Sequence, residues 1–310
     1  MIGFNGGLIG KANPTIAAAS IPGVWTPREV EVAVRNARWS NAALLDLYPG
    51  ATAAFSLRPL RGATINTRVV EVRRSSGSPS TADFTATEVA DGTLAAWVGA
   101  GNNGFVRTWY DQSGNGNNAT QATDGVQPRI VTGGELERDP ADTGRPTIRF
   151  GLVTSRLVTP TIAFASNCAI FAVTKHTNSA STWSFFFGHT QSGARFYVGK
   201  AANTSGSPAV HLKFAGANFE TLTGTDMIAK TVSYWQQGTG ISQYRLNNGA
   251  TTSLTSGSLS SNGISIGGPA VDNTDNFWYG PIQEFIYYPN SQVNTHANIM
   301  TDINAYYSIY

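Results

Sequence analysis

Cysteine is almost absent from this chain: Cys168 stands alone, which excludes an intrachain disulfide and any metal site built from several thiolates. It reads as a small packed hydrophobe. Charge is scarce as well, at 13% of 310 residues against about 25% in an average domain. The 21 Lys+Arg nearly balance the 19 Asp+Glu, and no basic run exceeds Arg73-Arg74. A net charge of +2 so distributed leaves no electrostatic footprint for nucleic acid. No apolar run approaches the ~20 residues that span a bilayer, and Met1 is followed by IGFNGGLIG without the basic start of a secretory leader. A soluble protein made without export, with no nucleic-acid and no membrane partner, is expected.

Familiar catalytic spacings are missing too. His176, His189, His211 and His296 form no HxH or HExxH pattern, and there is no GxSxG and no phosphate loop. Glu135, Glu137, Asp139 and Asp142 cluster in GGELERDPADTGRP, which reads as a solvated or interface loop. Abundant are 33 glycines, many Ser, Thr and Asn residues, and 11% aromatics. Gly, Asn and Ser punctuate turns, while aromatic and β-branched side chains fit a pleated sheet. The mixture predicts an all-β fold of many short strands.

Strand spacing begins at Ala51, where Ala53, Phe55 and Leu57 alternate with small or polar residues, and continues through Arg68 to Arg73. Further strands are predicted over 147–150, 168–173, 184–187, 195–198, 209–214, 227–234, 242–246, 263–266 and 280–288, with turn chemistry between them. Such regular short intervals mark a sandwich or barrel. TLAAWV, residues 93–98, is predicted to be one short helix.

The two ends differ from this middle. Residues 1–22 have no periodicity and read as an arm, yet Ile2, Phe4, Leu8 and Ile9 are more apolar than a solvated tail requires and call for a partner surface. Thr26-Pro27-Arg28-Glu29 carries helix-start signals for a short helix to about Ala37. At the other end, Val293, Ala297, Met300, Ile303 and Tyr307 recur at helical spacing, predicting a helix across the sandwich edge. The expected division is an arm with a short helix over residues 1–48 and a sandwich over 49–310.

The segment WYDQSGNGNNA, from Trp109, reads first as a structural turn. Trp109 is a core anchor, Asp111 can accept from the turn's own amides, and Gly114 and Gly116 supply positive φ. The alternative is a calcium loop through Asp111, Ser113 and Asn115, although the twelfth position, where an EF-hand carries Glu, is Ala122. Otherwise no cofactor is expected.

FVRTWYDQSGNGNNATQATDGVQPRIV, with AAFSLRPLRGATINTRVVEVRRSSG before it and GPIQEFIYYPNSQVNTHANIMTDINAYYSIY after it, resembles concanavalin-like jelly-roll domains of the arabinofuranosidase B catalytic type and many bacteriophage virion proteins. The resemblance covers about residues 51–310. It implies a jelly-roll β-sandwich with an extended N-terminal arm, a short helix and a C-terminal helix. In the enzyme family the nucleophilic Glu lies in a turn whose counterpart here is HTQSG, which puts Gln191 at that place, and the acid/base Asp lies in a turn resembling GGPAVDN, which retains Asp272. Retaining glycoside hydrolysis needs both carboxyl groups. No catalytic residues, and no enzyme, are therefore expected.

The resemblance instead implies a structural component of a bacteriophage virion, a tail or neck fibre facing the receptor, with a head-decoration protein as the alternative. The arm would seat on other virion proteins, with a homotrimer favoured for a fibre by analogy, and the protein would be assembled in the host cytoplasm. VDNTDNFWYG offers a host-glycan site, with Asp272, Asn273, Asp275 and Asn276 for the hydroxyls and Trp278 and Tyr279 as platforms.

Overall fold

The computed structural model describes residues 43–62, 67–139, 144–151, 154–165, 167–177, 184–188, 197–200, 209–213, 220–223, 229–238, 242–254, 263–269 and 277–310. The arm residues Ile2, Phe4, Leu8 and Ile9 and the helix expected at 27–37 lie outside them.

Two antiparallel sheets face each other. The first runs, in spatial order, Ala53–Ser56, Gly280–Tyr288, Cys168–Thr174, Thr231–Gln237, Ser242–Leu246 and Thr252–Leu254. The second runs Thr81–Thr85, Arg68–Arg74, Gly104–Trp109, Ala119–Thr120, Leu157–Val158, Ser265–Ile266 and Ser184–Gly188. It continues through Tyr197–Lys200, Ala209–Lys213 and Glu220–Thr223. Arg129–Thr132 pairs with Gly104–Trp109, and Ile148–Phe150 pairs with both Arg129 and the start of Gly280–Tyr288, so the two sheets are stitched along one side. This is the expected all-β, concanavalin-like sandwich.

Side-chain alternation explains the layers. From Gly280–Tyr288, Phe285 and Tyr287 enter the core between the sheets with Phe55, Trp109, Ile170 and Trp235. Ile286 and Tyr288, pointing the other way, join Phe171, Val173 and Tyr234 in a second core on the outer face of the first sheet. Every residue of Cys168–Thr174, Thr231–Gln237 and Gly280–Tyr288 is buried, so these strands have no wet face. Each large apolar side chain so enclosed contributes roughly 1.5–3 kcal/mol.

The outer core is closed by the helix His296–Tyr307, which buries Ile299, Met300, Ile303 and Tyr307 against the sheet. The helix therefore lies on the face of the first sheet, a correction to the edge position expected from its periodicity. Ala297, assigned to the buried side, is exposed, because the apolar stripe runs through Ile299, Ile303 and Tyr307. The short helix Leu44–Leu47 docks beside it, with Leu44 and Leu45 part of the outer core. Tyr48 donates to Asp302 at 2.9 Å and its carbonyl accepts from Tyr288 at 2.7 Å. The boundary expected after residue 48 thus falls inside packed structure, and the sandwich includes residues 43–48.

Thr93–Val98 is helical as expected. The strand Thr81–Thr85 and the helix Ala86–Ala90 were not anticipated, although the helix carries a legible signal. Thr85 accepts from the Glu88 amide while the Glu88 carboxylate accepts from the Thr85 amide, a reciprocal cap.

Cys168 lies on a central strand at 1% exposure, and burial pushes its thiol up to about 12, against a smaller lowering from the Tyr287 hydroxyl. Because the thiolate is the nucleophile, native protein at pH 9 is expected to resist iodoacetamide, with alkylation appearing only in denaturant. Rapid labelling of the native chain, read by mass spectrometry, would contradict the packing.

Candidate functional site

The segment after Trp109 is a clamp on the first strand. Asp111 Oδ1 accepts from the amides of Ala54 at 2.9 Å and Ser113 at 2.8 Å, and Oδ2 accepts from the Asn117 amide at 2.9 Å and the Ser113 hydroxyl at 2.7 Å. Asn115 Nδ2 donates to the carbonyls of Ala51 and Thr52, each at 3.1 Å, and Asn117 Nδ2 donates to Thr52 at 2.8 Å. Gly114 and Gly116 sit at φ +94° and +74°, as the turn requires. Trp109 is fully buried against Phe55, with ring centroids 5.8 Å apart.

The turn reading of Asp111, Ser113 and Asn115 accounts for these contacts, whereas the calcium alternative would need the same oxygens to face a cation. Sequence reasoning missed Gln112, which is buried and accepts from the Leu60 amide while donating to the carbonyls of Ser56 and Arg58. Its partners lie more than fifty positions upstream, where no local pattern points.

The acidic stretch expected to be solvated is corrected at one position. Glu135 is exposed and Glu137 pairs with Arg129 at 2.8 Å, but Asp139 is buried beside Lys175 at 3.2 Å and Lys230 at 3.9 Å. Asp142 lies outside the described residues. A carboxylate buried at 2% exposure needs cationic partners, and two lysines reach it from the sheet side.

Of the six residues assigned to glycan recognition, Asp272, Asn273, Asp275 and Asn276 lie outside the described residues, as does Gln191. Trp278 is a correction: it is fully buried, with T-shaped contacts to Phe186 at 5.5 Å and His176 at 4.8 Å, so its ring faces the core and not a ligand. Its amide donates to Gly267, which fixes the chain where it re-enters the sheet. Tyr279 is half-buried and remains available at the surface. Gly151, at φ +105°, makes room for it, since a Cβ there would come within 3.0 Å of the Tyr279 ring. The Tyr279 carbonyl accepts from the amide and hydroxyl of Thr177 at 2.7 and 3.1 Å.

The two histidines with described side chains lie apart from each other. His176 is buried on Trp278, and His296 stacks on Tyr234 at 4.4 Å. His189 lies outside the described residues.

No protein-family model matches the sequence. No curated protein matches it. Among solved structures, the chain shares its fold with an arabinofuranosidase complexed with arabinofuranosyl-α-1,2-xylobiose, at a TM-score of 0.60 and 18% identity over 85% of this chain and 64% of that one. A GH54 α-L-arabinofuranosidase soaked with a cyclic sulfate inhibitor is similar at a TM-score of 0.61 and 17% identity, with the same coverage. The chain therefore spans 64% of the length of these enzymes. It has the β-sandwich fold that they have.

These likenesses overturn one expectation. The exclusion of catalysis rested on placing Gln191 and Asp272 by a loop alignment, and the sandwich proves to be one that glycoside hydrolases use. At 18% identity a loop register is not fixed by motif matching, so the missing nucleophile is no ground for excluding hydrolysis.

Replacing Asp111 with Ala removes four hydrogen bonds from one carboxylate and is expected to cost about 2–4 kcal/mol, read by urea unfolding. Calcium and chelator should leave the wild-type melting temperature unchanged. A calcium-dependent rise would favour the calcium loop over the turn.

Proposed function

We propose that this chain is a carbohydrate-recognising β-sandwich carried as a structural part of a bacteriophage virion. In this reading it is a receptor-facing tail or neck fibre, trimeric, assembled in the host cytoplasm and anchored to other virion proteins through Ile2, Phe4, Leu8 and Ile9. The observation that supports carbohydrate recognition is the sandwich shared, over 85% of this chain, with an arabinofuranosidase complexed with an arabinofuranosyl-xylobiose. The virion assignment rests on the three ordered sequence motifs that resemble phage proteins.

The glycan surface is the segment from Asp272 to Tyr279. Tyr279 supplies a ring at the surface, while Asp272, Asn273, Asp275 and Asn276 supply the hydroxyl partners. Trp278 holds the segment's end from within the core. The shared fold favours a second reading, hydrolysis of an arabinofuranoside with Asp272 as the acid/base group.

A glycan array probed with the whole chain separates these readings from a purely structural role. Retention on arabinose-bearing or host-surface glycans is expected, weakened about tenfold or more by Tyr279→Ala with an unchanged circular dichroism spectrum. Retention by no glycan would contradict the proposal. Release of 4-nitrophenol from its arabinofuranoside, abolished by Asp272→Asn, would establish the second reading. Mass spectrometry of purified virions should find the protein, and a chain lacking residues 2–22 should be missing from them.

A further inference from the structure

A second candidate ligand site stands apart from the Asp272–Tyr279 segment. A cavity of about 580 Å³ opens between the Leu57–Pro59 turn, the Ala86–Ala90 helix, the paired strands Arg138–Asp139 and Arg145–Pro146, and the end of the C-terminal helix. That volume lies within the range of small-molecule sites. Its lining combines Leu57, Pro59 and Pro146 with three arginines, Arg58, Arg138 and Arg145.

Contacts within the protein order these arginines. Arg58 donates from Nε and Nη2 to both oxygens of Glu284, at 2.7 and 2.9 Å. This bidentate pair fixes the guanidinium plane and leaves Nη1 without an acceptor among the described residues. The Tyr306 ring lies 4.6 Å from the Arg58 guanidinium carbon and 3.6 Å from that of Arg145, so one aromatic side chain orders two of the three cations. Arg138 is exposed, and its Nη1 donates to the Gly144 carbonyl at 2.6 Å, which steers it along the cavity rim. The lining carboxylate, Asp91, is engaged in accepting from the Thr93 amide at 2.9 Å.

A guanidinium presents its N–H groups in a planar fork that matches a carboxylate, and charge-assisted bonds of this kind are strong. A concave site with one such fork at its rim, on Arg138, and Leu57, Pro59 and Pro146 in its lining suits a small ring that carries an acid group. We propose that this cavity binds an acidic sugar unit of the hexuronate class, its carboxylate held by the Arg138 fork with a single further bond from Arg58 Nη1 and its ring set against Leu57, Pro59 and Pro146, with Thr87 available to a hydroxyl. The site shares no residue with the Asp272–Tyr279 segment, so the two readings fail separately.

Calorimetric titration of the whole chain with glucuronate tests the proposal, with glucose and inorganic phosphate as comparison probes. Glucuronate is expected to bind, glucose to give no heat, and phosphate to bind at least tenfold more weakly than glucuronate. Arg138→Gln, at an exposed position, should weaken glucuronate about tenfold or more, while Arg138→Lys, which keeps the charge but loses the fork, should fall between. Tyr279→Ala should leave glucuronate binding unchanged. Absence of glucuronate binding, or equal affinity in both Arg138 variants and the wild type, would overturn the site. Phosphate binding as tightly as glucuronate would reduce it to a plain anion pocket and overturn the sugar assignment.

Discussion

The structure depends on one strand that must be apolar on both faces. Gly280–Tyr288 is hydrogen-bonded to Ala53–Ser56, Ile148–Phe150 and Cys168–Thr174, and it sends alternate side chains into two separate cores. A strand in that position cannot show the polar alternation of a half-wet sheet, and FIYY, residues 285–288, shows none. Where polarity does enter, at Gln283 and Glu284, it is partnered: the Gln283 amide donates to the Pro146 carbonyl at 3.0 Å, and the fully buried Glu284 carboxylate takes both bonds from Arg58, while Ser56 adds a hydroxyl at 2.9 Å. Leaving that carboxylate without its arginine would strand a charge in the outer core, at a cost of several kcal/mol.

Because the outer core exists, something must cover it. The C-terminal helix does so with Ile299, Met300, Ile303 and Tyr307, and Leu44 and Leu45 extend the cover. The chain thus has three layers, helix on sheet on sheet, and its first described residues and its last helix meet through Tyr48 and Asp302. The Asp111 turn completes the frame from the other direction by tying the first strand to Gly104–Trp109. Both ends of the sandwich are therefore closed by contacts between residues more than fifty positions apart, which fits a fold dominated by non-local pairing.

Much of this was legible in the sequence, and the failures have physical causes. Strand positions such as Cys168–Thr174 and Gly280–Tyr288 follow from β-branched and aromatic runs between turn residues. The turn role of Asp111 was readable because two of its partners are local, but its grip on Ala54 was not, because a turn pattern carries no information about a distant strand. The helix was placed on an edge because periodicity reveals an apolar stripe without revealing what it covers. The sequence presents Trp278 as a sugar platform because an aromatic triplet looks the same whether its rings face solvent or core; burial separates Trp278 from Tyr279. Asp139 looks solvated in its local stretch because its lysine partners lie on distant segments. The arginine-lined cavity was invisible, as its residues come from four separate stretches.

The central physical claim is that the terminal helix is an integral layer of one cooperative sandwich. Thermal unfolding of a chain ending at Asn290, compared with the full-length protein, tests it most directly. The account predicts that exposing Phe171, Tyr234, Ile286 and Tyr288 abolishes the sharp transition and produces binding of a hydrophobic dye. An unchanged melting temperature with an equally sharp transition would contradict it.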